Sequence, residues 1–291
     1  MPFLVNLTGY FFDFIIFAMA KPIVAILYDF DSTLAKSDMQ NFGFIPAVGL
    51  TPAEFWKMTT EFSNKTGVER TLSYLYMMVK VTKEKNIKMT RKWLNKMGQN
   101  IEFFPGVLEW FSNINKFGKE QGVIVEHYLV SSGNKEIVEG TPIAKEFKVI
   151  YGCEYLYDEE TGLPIWPKLA INFTQKTQYM YRISKGVYDQ NDDVGVNEKR
   201  QDRRIPYSNM IYIGDGMTDI PAMIIAKNNG GHSIAVYPRG QEEKVQNLIR
   251  DMRVNSVCPA DYRVGKEIDN YIRLIIQNIA IETALGKKEI N

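Results

Sequence analysis

Residues 28–34 (YDFDSTL) constrain this chain most, because they place two carboxylates directly after an apolar segment. The preceding residues 23–27 are apolar and mostly β-branched, which predicts a buried β-strand. Asp29 and Asp31 follow at the expected end of that strand, and buried acids are costly unless a cation or a reaction needs them. A turn in which Asp31 and Ser32 bond to the backbone explains the same residues equally well. These residues alone leave both interpretations open.

Length and composition are typical of a globular protein with a large core. The chain has 291 residues, of which 45% are hydrophobic and 24% charged, so we expect one main domain with an insertion. The formal net charge is +1. Such a balance gives no electrostatic indication of a nucleic-acid partner, and we expect none.

Histidine and cysteine are scarce. His127 and His232 each lie in an apolar run and are predicted to be strand residues, which argues against a histidine-based triad or a histidine-rich zinc site. Cys153 and Cys258 are far apart in sequence, so we expect two reduced, inert thiols in a reducing compartment, the cytoplasm.

Residues 1–20 form an apolar N-terminal extension whose only charged side chain is Asp13. The segment is barely long enough to cross a bilayer, and it lacks the basic start of a signal peptide. It could be a membrane anchor, an additional packed helix, or upstream sequence that the working protein does not need. We favour the last interpretation and expect no membrane partner; if the segment is an anchor, Lys21 favours a cytoplasmic location for the globular part.

Strand and helix patterns alternate along the rest of the chain, which predicts an α/β fold with a doubly wound parallel sheet. We expect a strand at 148–151, a hairpin at 154–166 and further strands before Asp215 and at 233–237. Residues 40–104 carry only helical patterns, including a capping box at 51–54, and their aromatic residues, such as Trp56, are expected to form a bundle core. The predicted main domain therefore comprises residues 21–39 and 105–291, with a helical insertion at 40–104.

Three strands of the predicted sheet end in polar residues. Asp29 and Asp31 follow the first strand, Ser131 ends the second, and Asp215 and Asp219 follow a later one. The carboxyl ends of parallel strands open at one edge of a sheet, so we expect these side chains to meet there. Clustered carboxylates repel and need a cation, and oxygen ligands favour Mg²⁺.

The residues after the second strand add a predicted anion site. We expect a helix to begin there, with Ser131 and the free amide groups of Ser132, Gly133 and Asn134 pointing at an anion. A lysine from a later helix would balance the charge. An anion that bridges a metal and such a site is typical of a phosphoryl group.

The same residues resemble the four motifs of the haloacid-dehalogenase-like (HAD) superfamily of phosphohydrolases. Residues 29–33 match its Asp-x-Asp-x-Thr motif, Ser131 resembles the second motif, Lys176 the third, and residues 214–219 (GDGMTD) the fourth, Gly-Asp-x-x-x-Asp. The resemblance covers about residues 21–260 and implies a HAD-like, Rossmann-type core. The helical insertion is similar to the cap domain of the phosphoserine-phosphatase-like branch.

The resemblance implies a role for each site residue. Asp29 would attack phosphorus and form an aspartyl-phosphate, and Asp31 would protonate the leaving oxygen and then activate water. Mg²⁺ would be held by the acidic residues, namely Asp29, Asp31 through its backbone carbonyl, Asp215, and Asp219 in a supporting position. The phosphoryl oxygens would be bound by Ser131, Ser132 and Lys176.

Some of these assignments have alternatives. Asp219 could instead complement the dipole of the helix that it precedes. Lys168 and Lys185 compete with Lys176, whose helical setting and spacing to the next strand favour it. Ser132 could only cap a helix.

The resemblance also shows departures that bear on the substrate. Asp38 stands where phosphoserine phosphatases carry a glutamate that meets the substrate amine, so we expect Asp38 to affect specificity. The dehalogenases lack the second aspartate, so Asp31 argues against dehalogenation. We therefore expect a Mg²⁺-dependent phosphatase acting on a small phosphorylated metabolite. A phosphotransferase or mutase on the same covalent route and a binding protein that has lost turnover are the alternatives.

Overall fold

The computed structural model describes residues 21–199 and 202–289, and the apolar extension at 1–20 lies outside them. The described residues contain one seven-stranded sheet in the order β4-β3-β2-β1-β5-β6-β7. Every neighbouring pair is parallel except β3–β4. The strands are β1 (Ile23–Tyr28), β2 (Ile124–Asn134), β3 (Val149–Tyr157), β4 (Pro164–Leu169), β5 (Met210–Gly214), β6 (His232–Tyr237) and β7 (Ser256–Pro259).

Strand β1 lies at the centre of the sheet, with β2 on one side and β5 on the other. Residues 24–28 are completely buried, as their apolar sequence predicts. The chain runs outward from β1 to β4 in one direction and from β5 to β7 in the other, which is the doubly wound arrangement expected from the sequence. In such sheets ligands bind where the strand order reverses, which here is the carboxyl end of β1.

The chain between β1 and β2 forms the helical insertion. Residues 36–102, all of them described, hold helices and no strand. The helices are α1 (Met39–Phe42), α2 (Phe44–Ala47), α3 (Pro52–Thr66), α4 (Arg70–Glu84) and α5 (Arg91–Met97). The expected capping box is present, because Thr51 and Glu54 bond to each other's backbone at the start of α3. The boundaries at 40 and 104 stay a prediction.

The remaining helices follow the strands of the sheet. They are α6 (Val107–Glu120), α7 (Lys135–Glu139), α8 (Gln175–Lys185), α9 (Asp193–Asn197), α10 (Ile220–Asn228), α11 (Gln246–Arg250) and α12 (Glu267–Glu289). Within 21–199 and 202–289, no helix combines the length and apolar content that crossing a membrane requires.

Two parts of the sheet differ from the sequence prediction. Strand β3 runs without a break through the segments predicted as a separate strand and the first arm of the hairpin, and it pairs antiparallel with β4. Strand β7 was not predicted, because its four residues are too short for a periodic pattern and end in Pro259. Both free cysteines are buried, as expected of inert thiols.

A buried chain of hydrogen bonds lies beside β1. The Trp110 indole donates to the Tyr28 hydroxyl at 2.8 Å, and this hydroxyl lies 2.9 Å from His127 Nδ1. His127 Nε2 lies 2.9 Å from Asn115 Oδ1, so the proton of a neutral imidazole belongs on Nε2. Burial lowers the pKa of His127 to about 3. Both histidines therefore lie in strands as predicted, and His127 has a structural role.

We expect His127 to make the protein less stable in mild acid. Its pKa is lower in the folded state than in the unfolded state, so its contribution is complete above pH 6.5 and is lost as the pH falls towards 3. Between pH 7 and 5.5 the loss from this residue is about 1 kcal/mol. Urea unfolding at both pH values measures it, with His127→Gln as the comparison. An equal pH dependence in both proteins would contradict the prediction.

Candidate active site

The predicted site residues meet at the carboxyl ends of β1, β2 and β5, around a cavity of about 270 Å³. Six of them line this cavity: Asp29, Asp31, Asp38, Ser131, Ser132 and Asp215. Lys176 and Asp219 are completely buried and form the layer behind Asp29. The structure therefore brings these strand ends together as predicted for Asp29, Asp31, Ser131, Asp215 and Asp219, and it places Ser132, Asp38 and Lys176 beside them.

Lys176 connects the acidic residues of β1 and β5. Its ammonium lies 2.9 Å from Asp29 Oδ1 and 2.7 Å from Asp219 Oδ1. Burial alone would lower the pKa of Lys176, but the carboxylates of Asp219 and Asp29 raise it above its usual value. The Asp29 amide also donates to the Ile213 carbonyl at 2.9 Å, which fixes the end of β1 against β5. The lysine is therefore a charged partner held inside the protein.

The two competing lysines lie elsewhere. Lys168 Nζ is 3.4 Å from Glu154, and its side chain is 58% exposed. Lys185 donates to the carbonyls of Val196 and Glu198. Of the three candidates, Lys176 is the one that contacts Asp29.

Asp219 holds the lysine and takes no part in capping its own helix. It stands at the start of α10 without a side-chain bond to the α10 amides, and its Oδ1 also accepts from the Tyr212 hydroxyl at 2.7 Å. A Cβ on Gly214 would lie 2.5 Å from the Asp219 carboxyl group, so this position needs glycine. The sequence did not predict a role for Tyr212, because a single tyrosine in an apolar strand carries no functional signal.

Carboxylate oxygens of Asp29, Asp215 and Asp219 lie within 4.8 Å of one another. Burial and the neighbouring Asp219 raise the pKa of Asp215 to about 8 and that of Asp29 to about 6. Three carboxylates share one lysine, so a further cation would relieve their repulsion. Oxygen-only donors fit a hard divalent ion such as Mg²⁺.

Asp31 is in a different environment from Asp29. Its Oδ1 accepts a hydrogen bond from the Met39 amide at 2.7 Å. Burial, followed by the charges of Asp38 and Asp29, raises the pKa of Asp31 well above its usual value. Ser32 has a φ of 54°, in the left-handed region, and this turn brings both aspartates to the cavity. Burial and neighbouring acids therefore favour the protonated form of Asp31, whereas the Lys176 ammonium favours the carboxylate form of Asp29.

The predicted row of free amides after Ser131 was wrong for two of its three members. Strand β2 continues to Asn134, and helix α7 begins only at Lys135. The Gly133 amide donates to Ser131 Oγ at 3.0 Å, and the Asn134 amide contacts Met39 Sδ. The reason is a register shift between β2 and β3, which keeps the segment extended. Ser131 and Ser132, rather than a helix terminus, line the cavity here.

A second cavity of about 280 Å³ adjoins the first and shares Asp31, Asp38 and Ser132 with it. The helical insertion supplies most of the remaining lining residues, including Gln40, Trp56, Arg70 and Tyr74. Trp56 was predicted to belong to the bundle core, but it also lines this cavity. Sequence periodicity could not separate these roles, because Trp56 packs on Phe55 and Tyr74 while facing the cavity.

Solved structures with the same fold are phosphatases and related hydrolases. A HAD-family hydrolase from Salmonella enterica serovar Typhi superposes with a TM-score of 0.56 at 14% identity, covering 94% of this chain and 81% of that one. A phosphoserine phosphatase solved as a phospho-aspartyl intermediate analogue gives a TM-score of 0.54 at 17% identity, covering 87% and 99%. The chain has the HAD-like fold. Identities this low establish the HAD-like fold alone, so the activity has to be argued from the site.

Two sequence comparisons complete this result. An uncharacterized protein of Borreliella burgdorferi is 27% identical over 278 residues, which covers 86% of this chain and 95% of that protein. No family model matches the sequence.

We expect Lys176→Ala to destabilise the protein strongly in EDTA, because it leaves buried Asp29 and Asp219 without their cation. Removing one partner of a buried ion pair costs about 3–5 kcal/mol. The matched control is Lys168→Ala, which removes an exposed lysine and should change stability by about 0.5 kcal/mol or less. Urea unfolding measures both variants, and equal effects would contradict the buried ion-pair interpretation.

Proposed function

We propose that the protein is a Mg²⁺-dependent phosphomonoesterase that hydrolyses a small phosphorylated metabolite through an aspartyl-phosphate on Asp29. One observation supports this most. Asp29 and Asp31 face one cavity, but Asp29 lies 2.9 Å from the Lys176 ammonium, whereas Asp31 accepts from the Met39 amide and burial raises its pKa well above its usual value. Two carboxyl groups with separated pKa values are the usual basis for a division between nucleophile and acid.

In the first step, Asp29 attacks phosphorus while the bond from phosphorus to the leaving oxygen breaks. Lys176 keeps Asp29 in the carboxylate form that this attack requires. Asp31 gives its proton to the leaving oxygen, which departs as an alcohol. In the second step, Asp31 takes a proton from water as that water attacks phosphorus, which releases phosphate and regenerates Asp29.

The remaining polar residues bind the metal and the phosphoryl group. Asp29, the backbone carbonyl of Asp31 and Asp215 would hold Mg²⁺, and Asp219 supports them by holding Lys176. When bound, the ion would neutralise charge on the phosphoryl oxygens. The hydroxyls of Ser131 and Ser132 would donate to those oxygens.

The second cavity is the proposed site of the group beyond the phosphate. The helical insertion would act as a cap, because its side chains line this cavity. Asp38 and Arg70 offer opposite charges there, so we expect a leaving group with polar or charged substituents. Asp38 touches both cavities and is the proposed specificity residue.

We expect the purified protein to release phosphate from p-nitrophenyl phosphate in the presence of Mg²⁺, and we expect EDTA to abolish this activity. Asp29→Asn should lower kcat by about 1,000-fold or more, because it removes the nucleophile. The matched control is Asp193→Asn, an exposed aspartate far along the chain, which should retain full activity. Full activity in Asp29→Asn would contradict the mechanism, and beryllium fluoride bound to Asp29 in a crystal structure would support it.

The role of Asp31 predicts a dependence on the leaving group. p-Nitrophenolate leaves without a proton, whereas an alkoxide needs one. Asp31→Asn should therefore slow the hydrolysis of alkyl phosphates more than that of p-nitrophenyl phosphate. We expect a loss of about 100-fold or more on the best alkyl phosphomonoester from a metabolite screen, and a smaller loss on p-nitrophenyl phosphate. Steady-state kcat/KM values for both substrates decide this, because they do not include the second step that the two substrates share, and equal losses would exclude Asp31 as the general acid.

A further inference from the structure

The peptide unit between Ser132 and Gly133 is held at both ends by side chains. Its N–H donates to Ser131 Oγ at 3.0 Å. Its carbonyl accepts from the Tyr74 hydroxyl at 2.7 Å, and Cys153 Sγ lies 3.2 Å from the same oxygen. Tyr74 belongs to helix α4 of the insertion, so this bond joins the insertion to the proposed phosphate-binding serines.

Strand pairing does not fix this peptide unit. The pairing of β2 with β1 ends at Leu129, and its pairing with β3 passes directly from Val130 to Asn134. Residues 131–133 therefore lie in the irregular part of the strand, where ladder bonds do not set the backbone orientation. The side-chain donors are what hold the Ser132 carbonyl in place.

The hydroxyl of Ser132 is poised for a ligand. Ser132 Oγ is buried and has no hydrogen-bond partner among the described residues, and Ser132 lines both cavities. A buried hydroxyl without a partner is costly, so its persistence is best explained by a ligand that completes it. Its direction depends on the orientation of the peptide unit that Tyr74 holds.

We propose that Tyr74 is a positioning residue that orients Ser131 and Ser132 for the phosphoryl group, so that docking of helix α4 and phosphate binding are coupled. This inference rests on the proposed function, because it assumes that both serines bind phosphate. Tyr74 acts through the Ser132 carbonyl. If this carbonyl lost its orientation, the hydroxyls of Ser131 and Ser132 would turn away from the phosphoryl oxygens.

Tyr155 supplies a matched control. It is a buried tyrosine of β3 whose hydroxyl donates to the Leu75 carbonyl of the same helix at 2.8 Å. Tyr155 lies outside both cavity linings, and its hydroxyl donates to the Leu75 carbonyl rather than to the Ser132 carbonyl. Tyr74→Phe and Tyr155→Phe therefore each remove one hydroxyl-to-carbonyl bond between the insertion and the core, but only Tyr74→Phe releases the peptide unit of Ser132.

The test is calorimetric titration with inorganic phosphate in Mg²⁺, together with thermal unfolding. Both variants should lower the melting temperature similarly. Phosphate should bind about fivefold more weakly to Tyr74→Phe, the usual effect of one hydrogen bond, and within about twofold of wild type to Tyr155→Phe. In a Ser132→Ala background, Tyr74→Phe should cause less additional loss than in the wild type, because the two residues act together.

Equal phosphate affinities for the two tyrosine variants would overturn the inference. If Tyr74→Phe does not fold, Cys153→Ala removes the other donor to the carbonyl: weaker phosphate binding than Tyr155→Phe supports the inference, and equal binding overturns it. A wild-type protein that binds phosphate without hydrolysing esters would refute the proposed function, and the tyrosine comparison would still decide the inference. A wild-type protein that binds no phosphate would overturn both.

Discussion

The buried ammonium of Lys176 is the interaction on which the site depends. It lies between Asp29 on one side and Asp219 on the other, and both carboxylates are inside the protein. An isolated charge in such a place is strongly unfavourable, so the acids and the lysine have to be brought in together. Asp29 follows β1, Asp219 stands at the start of α10 and Lys176 lies in α8, so the charge requirement ties these three elements together.

The same interaction leaves the carboxylate cluster two positive charges short, because three carboxylates lie near one ammonium. Burial, followed by the charges of Asp219 and Asp29, raises the pKa of Asp215. The surplus negative charge favours a divalent cation, while Asp31 stands slightly apart, with its carboxyl group on the Met39 amide. This edge of the sheet thus combines three clustered carboxylates, one of them beside Lys176 and the cavity, with a further carboxyl group whose pKa burial raises.

The helical insertion contributes both cavity-lining side chains and hydrogen bonds to the sheet. Side chains of its helices line a cavity that Ser132 also lines. Tyr74 of the insertion donates to the Ser132 carbonyl, and Tyr155 of the sheet donates to the Leu75 carbonyl of the insertion. These tyrosine hydroxyls bond to backbone carbonyls of the irregular end of β2 and of helix α4. The cavity between the insertion and the sheet is therefore lined by residues from both.

The sequence by itself determined which predicted strands end in polar, potentially functional residues. These strands are apolar runs that lead to Asp29, Ser131 and Asp215, and helical patterns separate them. Those features are local, because burial and turn formation depend on neighbouring residues, and they sufficed to predict the fold and the converging edge. Only the tertiary structure decided that Lys176 rather than Lys168 contacts Asp29, that Tyr212 supports Asp219, and that the Gly133 and Asn134 amides are already bonded. It also decided that Trp56 lines a cavity. Spacing favoured Lys176 over Lys168, but several of these contacts join residues that are distant in sequence, and no local pattern establishes them.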